Sequence, residues 1–213
     1  MALKPVRLPS AREQAISELR KAVLSRQLQE GEIITLEEVA KELGISTTPV
    51  REAFQVLERD GLIELRQNRG ARVLGIGQDS IREHYELREI LEEQAVRLAV
   101  NKGSDLSGIV NTFQAAREHL EREGSDGYSQ FNFAFHQEIW LAAQNRKLCR
   151  LLTELWNGLS MGVTVSEREY AKVSMREHEE ILSAMCSGDA EEAASLMRSH
   201  IRRSMEDMLT YYA

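Results

Sequence analysis

The sequence predicts a mainly α chain in two parts, three helices closed by a small β-hairpin and then an antiparallel bundle of six helices. Three observations predict it. Apolar residues recur every three to four positions from Ser10 to Gly61, and the same rhythm resumes near residue 79. Between these stretches lie two short runs rich in Val, Ile and Leu, "LIELR" and "ARVLGI", joined by "QNRG" as in a hairpin. Beyond residue 77 no convincing strand pattern returns.

The first helix is expected over "SAREQAISELRKAVLSRQL" after a Ser10 cap, with Ala15, Ile16, Leu19, Ala22, Val23 and Leu28 inward, until "QEGE" breaks it. "TLEEVAKELGI" gives a short second helix, capped by Thr35, buried through Leu36, Val39, Ala40 and Leu43 and ended by Gly44. The third, "STTPVREAFQVLERDG", is capped by Ser46 or Thr47 and stops at Gly61. Pro49 fits its first turn, where a backbone N–H has no partner in any case. After the hairpin Gly75 and Gly77 loosen the chain, which places a domain boundary near residue 77 and divides the chain into 1–77 and 78–213. Helices are then expected at approximately 79–102, 105–123, 125–144, 146–166, 167–187 and 189–212, each with an apolar stripe and a polar back.

With 42% hydrophobic and 29% charged residues among 213, the composition is that of a soluble globular protein. No apolar run approaches the ~20 residues of a membrane helix, and "MALKPVRLPS" lacks a secretion core, so a cytoplasmic location without membrane contact is expected. Cys149 and Cys186 have no metal or redox spacing and are expected as buried packing residues. The net charge is −7, unevenly spread: residues 1–77 carry 12 Lys/Arg against 11 Asp/Glu, the remainder 15 against 23. Only the first part suits a polyanion.

Two short helices about a tight turn, followed by a two-stranded wing, make a winged helix-turn-helix. Ser46, Thr47, Thr48 and Arg51 lead its second helix, where short hydroxyls and an arginine can reach base edges or phosphates. Arg66, Arg69 and Arg72 flank the wing, and Gly70 allows a close backbone approach to a phosphate or minor groove. The bland alternative is a helical domain for protein contacts with solvated arginines. "EEVAKELGISTTPVREAFQVLERDGLIELRQNRGARV" resembles the DNA-binding domain of the GntR family of bacterial transcription regulators, over roughly residues 10–75. The resemblance implies operator binding, usually as a repressor. Family members usually have an arginine directly after the serine, where Thr47 stands here, and often a basic residue where Glu37 and Glu38 stand.

Three of the five histidines fall on apolar helix faces. His136 shares a side with Tyr128, Asn132, Ile139 and Ala143, because residues four apart are neighbours on a helix. His178 lies among Ala171, Met175, Ile181, Leu182 and Met185, and His200 among Ala193, Leu196, Met197, Ser204 and Tyr211. His84 and His119 sit in charged surroundings and read as surface. One inward histidine is usually a satisfied core residue. Three on one interior each leave a ring nitrogen needing a partner, and a divalent transition metal would serve all three. Zinc comes first, with nickel, copper, iron or manganese as alternatives.

"ELREILEEQAVRLA", "FHQEIWLAAQNRKL" and "EHEEILSAMCSGDAEEAASLMRSHI" resemble the all-helical ligand-binding domain of the FadR subgroup of the same family, over about residues 79–210. In its metal-containing members an aspartate one turn before the first histidine joins three histidines as ligands. The resemblance implies His136, His178 and His200 as metal ligands with Asn132 on the aspartate position, an amide in place of a carboxylate. It makes Arg88 a candidate partner for a small carboxylate effector, although such an arginine is more often a helix–helix salt bridge. A homodimer on a palindromic operator follows from DNA geometry. Two alternatives stand beside this regulator. One is a metal-free regulator whose histidines bind an anionic effector directly. The other is a metal-dependent hydrolase, against which "HEEIL" lacks the second histidine of HExxH and no inward carboxylate is expected beside the histidines.

Overall fold

The computed structural model describes residues 10–66, 70–159 and 167–212. Its contacts divide the chain into two compact units, Met1–Gly77 and Gln78–Ala213. The first contains α1 (Ala11–Leu24), β1 (Ile33–Ile34), α2 (Leu36–Leu43), α3 (Thr47–Arg59), β2 (Ile63–Arg66) and β3 (Gly70–Val73). Ser10 and Thr35 each build a reciprocal capping box, with Glu13 and Glu38 reaching back to the cap. Gly44 ends α2 in the left-handed region at φ 66°. Val50, Ala53, Phe54 and Leu57 of α3 join Ala15, Leu19 and Val23 of α1 in one core.

The structure departs from expectation at two places in this unit. The first helix ends at Leu24, not Leu28, because the Ser25 N–H closes onto Lys21 and Arg26 turns left-handed at φ 57°. Leu28 still reaches the core, from a turn whose N–H bonds Ala22 O. Strand β1 was too short to show any alternation; it pairs antiparallel with β3, giving a three-stranded sheet of order β1-β3-β2.

The second unit contains α4 (Gln78–Asn101), α5 (Ser107–Arg122), α6 (Tyr128–Ala142), α7 (Arg146–Leu159), α8 (Glu167–Ser187) and α9 (Ala190–Tyr211). The expected extension of the fourth of these to residue 166 lies outside the described residues. Helix α4 packs on α6, α7 and α9, α8 lies along α9, and α5 packs on both α6 and α8. Ion pairs mark the registers. Glu93 with Arg198 and Glu89 with Arg202 set α4 antiparallel to α9, and Glu177 on α8 bonds both His200 and Arg203 on α9. Tyr128–Tyr170, Asn132–Ser174 and His136–His178 keep α6 and α8 in parallel step. No helix among the described residues is long and apolar enough to cross a membrane.

Both cysteines depart from the expected burial: Cys149 is half-buried and Cys186 exposed. Each follows a buried residue, Leu148 or Met185, and one step along a helix turns it off the apolar stripe. His84 and His119 are half-buried rather than surface residues. His119 stacks on Phe131 at 4.6 Å between ring centroids and donates from Nε2 to Asp126 O at 2.6 Å.

Candidate metal centre and DNA-reading helix

His136 on α6, His178 on α8 and His200 on α9 are buried at 0%, 1% and 2% exposure. They offer ring nitrogens that all lie within 4.8 Å of one another. The Nε2 atoms of His136 and His200 face each other at 3.2 Å. Their far nitrogens are occupied: His136 Nδ1 donates to Glu92 Oε2 at 3.0 Å, and His200 Nδ1 to Glu177 Oε2 at 2.6 Å. A carboxylate only accepts, so each Nδ1 carries the hydrogen, and in a neutral ring the Nε2 is then left as a lone pair facing its counterpart. His178, stacked on Phe135 at 4.0 Å, has a buried Nε2 with no hydrogen-bond partner.

Two facing lone pairs need a cation between them. A proton shared by His136 and His200 would satisfy that pair and leave His178 Nε2 unmet, whereas a metal ion would take all three. Nitrogens about 2.0–2.1 Å from a tetrahedral ion stand roughly 3.3 Å apart, which the 3.2 Å separation fits. The residues therefore suit a divalent ion, with carboxylates holding two of the imidazoles in the correct tautomer. Burial pushes the His178 pKa well down, helped by its two histidine neighbours. Burial also lowers His200 to about 4, against the opposing pull of Glu177. Both rings are thus kept neutral, the form in which imidazole binds metal.

Glu92 is the residue that sequence reasoning missed. An inward carboxylate was not expected beside the histidines, yet Glu92 is fully buried on α4. Its Oε2 accepts from His136 and from Trp140 Nε1 at 2.7 Å, and its Oε1 accepts from Arg88 at 2.8 Å. Burial alone would raise its pKa, but His136, Arg88 and the Trp140 N–H outweigh that and hold it well below the ordinary carboxylate range. Both oxygens are committed, so the group positions a histidine and is not free as a general base. Glu177, half-buried on α8, was missed as well; it is held below its ordinary value because His200 and Arg203 overcome the effect of burial.

Arg88 is buried, and its ion pair with Glu92 lies within α4 rather than between helices. Its guanidinium carbon also stands 4.6 Å from the Trp156 ring centroid. Asn132 is buried one turn before His136 and accepts from Ser174 Oγ at 3.5 Å.

In the first unit, Ser46 is the N-cap of α3, yet its hydroxyl makes no capping bond. Ser46, Thr48 and Arg51 are exposed and Thr47 is half-buried. Arg51 makes no ion pair among the described residues. The leading end of α3 thus stands clear of its own core, which α3 meets through Val50, Phe54 and Leu57. Arg66 is exposed at 3.5 Å from Glu64, and Arg72 projects outward between buried Ala71 and Val73. Arg69 lies outside the described residues. Gly70 was expected to admit a phosphate; what presses on it is the chain itself. With φ 77°, a Cβ there would overlap Ile34 O and stand 2.9 Å from Thr35 Cα.

Residues 11–73 match the family of bacterial regulatory proteins named gntR, and residues 83–203 match the FCD domain. A protein described as a probable D-xylose utilization operon transcriptional repressor of Paenarthrobacter nicotinovorans is 31% identical over 170 residues, 77% of this chain and 74% of that one. The Nta operon transcriptional regulator of Aminobacter aminovorans is 25% identical over 189 residues, 87% and 89% of the two chains. The solved structure of E. coli McbR/YncC superposes with a TM-score of 0.74 over 97% of this chain and all of its own, at 20% identity, which shows a shared fold. The chain is a DNA-binding transcription regulator, and it belongs to the GntR family of bacterial regulatory proteins, with an FCD domain as its second unit.

Proposed function

We propose that this regulator is a cytoplasmic homodimer whose operator affinity is set by a small organic acid bound in the FCD unit beside a divalent metal held by His136, His178 and His200. The observation that carries it is the buried, unpartnered Nε2 of His178 next to the facing Nε2 atoms of His136 and His200. A bound ion would supply positive charge and open coordination positions for an anion inside the bundle. Asn132 would be a weak neutral fourth ligand. Glu92 and Glu177 hold the rings, and Arg88, shared with Glu92, faces a carboxylate on the effector. The acid must bind two arrangements of the dimer unequally, since only that difference shifts DNA affinity.

The metal-free alternative is weaker: burial keeps His178 and His200 neutral, so neither ring offers an anion its charge at neutral pH. The hydrolase is set aside, because the relatives are transcription regulators and Glu92 is fully committed. The test is metal analysis of protein purified without a histidine tag, followed by operator titrations with small carboxylates, with and without chelator. Stoichiometric metal and a chelator-sensitive response support the reading. Protein that neither retains nor takes up a divalent ion would remove it.

A further inference from the structure

Strand β2 is held unevenly along its length. Ile63 is buried, whereas Glu64, Leu65 and Arg66 are all exposed, so the outer half of the strand has little burial to fix it. The sheet order β1-β3-β2 makes β2 an edge, with its ladder partner on one side only. At its inner end the Leu74 N–H bonds Leu62 O. Bonded and unbonded pairs alternate along an antiparallel ladder, so Glu64–Arg72 and Arg66–Gly70 are the bonded pairs that follow. The Leu65 N–H then points off the free edge. A donor in that position is ordinarily left to water or to a stray strand.

Here it is taken by the reading helix. Glu58, in the last turn of α3, accepts the Leu65 N–H on Oε1 at 3.1 Å. Between the two the chain doubles back: Gly61, at φ 70°, donates to Glu58 O at 3.0 Å, and the Leu62 N–H reaches Leu57 O at 2.9 Å. Two residues after Glu58, Asp60 accepts from the buried Arg20 of α1. The end of α3 is therefore tied to α1 by one carboxylate and to the edge of the wing by another. A carboxylate beside the wing repels a phosphate backbone, whereas an amide could accept the same N–H without that penalty. That contrast separates the bond made by Glu58 from its charge.

We propose that Glu58 is a positioning residue for operator binding, which ties the outer half of β2 to α3 and so holds Arg66 of the wing in fixed register with the leading end of that helix. This rests on the reading of α3 and the wing as the surface that meets DNA. Residues two apart on a strand share a face, as do partners across a ladder, so Glu64, Arg66 and Arg72 stand on one side of the sheet. Arg66 directly follows Leu65, and its side chain is exposed at 3.5 Å from Glu64. Freed from Glu58, the strand end that carries Arg66 keeps only its bonds to β3, and an arginine on a loosened strand loses orientation before it loses charge.

The probe is a DNA duplex selected by the full-length wild-type protein from a random-sequence pool. It is titrated against Glu58→Ala, Glu58→Gln, Arg66→Ala and the double variant Glu58→Ala with Arg66→Ala. Glu58→Ala is expected to lose about tenfold in affinity, with a salt slope shallower by about 1 per head, as for one phosphate contact removed. Glu58→Gln keeps an acceptor for the Leu65 N–H and should stay within about threefold of wild type. Arg66→Ala should cost about tenfold in the wild-type background and less than about threefold once Glu58 is gone, because coupled residues are not additive. Amide hydrogen exchange at Leu65 gives a readout without DNA: slow in wild type and Glu58→Gln, fast in Glu58→Ala. An Arg66→Ala loss equal in both backgrounds overturns the inference and leaves the wing as a DNA contact. So does a Glu58→Gln protein that binds as poorly as Glu58→Ala, or Leu65 exchange unchanged in Glu58→Ala. An Arg66→Ala protein that binds like wild type removes the wing contact itself, and the inference with it.

Discussion

His200 donates its Nδ1 hydrogen to Glu177, and that bond fixes which nitrogen faces the other two histidines. Glu177→Gln keeps an acceptor but removes the charge that makes the imidazole more basic. Metal affinity, measured by competition with a chelator, should fall about 10–100-fold with the helical content unchanged. Unaltered affinity would mean that Glu177 does not set the ring. Asn132→Asp should act in the opposite sense and tighten metal binding, because a carboxylate would replace the neutral amide; weaker binding would assign Asn132 to Ser174 alone. The histidines and Asn132 were legible in the sequence because each lies on the apolar stripe of its own helix. Glu92 was legible too and was overlooked: it stands four residues after Arg88, on the face that continues through Ala95, Val96 and Ala99. Glu177 carried no such signal, since it precedes His178 and looks across to a different helix.

At the level of elements, α3 and the sheet divide the work of the first unit. Helix α3 leads with Ser46, Thr48 and Arg51 exposed, so Arg51→Ala should weaken operator binding by roughly 1–3 kcal/mol per head and leave the circular dichroism of the helices intact. Unchanged binding would move the reading element away from α3. The sheet depends on Gly70, where β3 runs against the Ile34–Thr35 backbone. Gly70→Ala adds a clash to an unfavourable φ and should cost roughly 3 kcal/mol or more by calorimetry. Gly61→Ala, at φ 70° with nothing within 4 Å, should cost only the backbone strain of about 1–2 kcal/mol. Equal losses would show that packing around Gly70 relaxes. The helices of both units were readable because caps and breakers such as Ser10, Thr35, Gly44 and Gly103 agree with the apolar period. Strand β1 was not, because two residues show no alternation and only its partner β3 defines it.

Across the whole molecule, charge bounds how the regulator can hold DNA. The first unit carries 12 basic against 11 acidic residues and the second 15 against 23, so net charge gives little attraction to a polyanion, and the proposed contacts of Arg51, Arg66 and Arg72 would have to supply it by placement. A head of this size reaches about four to six phosphates, and each phosphate neutralised contributes about −0.9 to the slope of log K against log salt. One head would therefore show a slope of roughly −4 to −5, and two heads on a palindrome roughly −7 to −11. The proposed dimer predicts the steeper value in operator titrations between 50 and 200 mM salt, together with loss of tight binding when one half-site is scrambled. A slope near −4, insensitive to the second half-site, would show that a single head suffices. The FCD unit would then have to act on one head directly, because no pairing of two would be left for an effector to disturb.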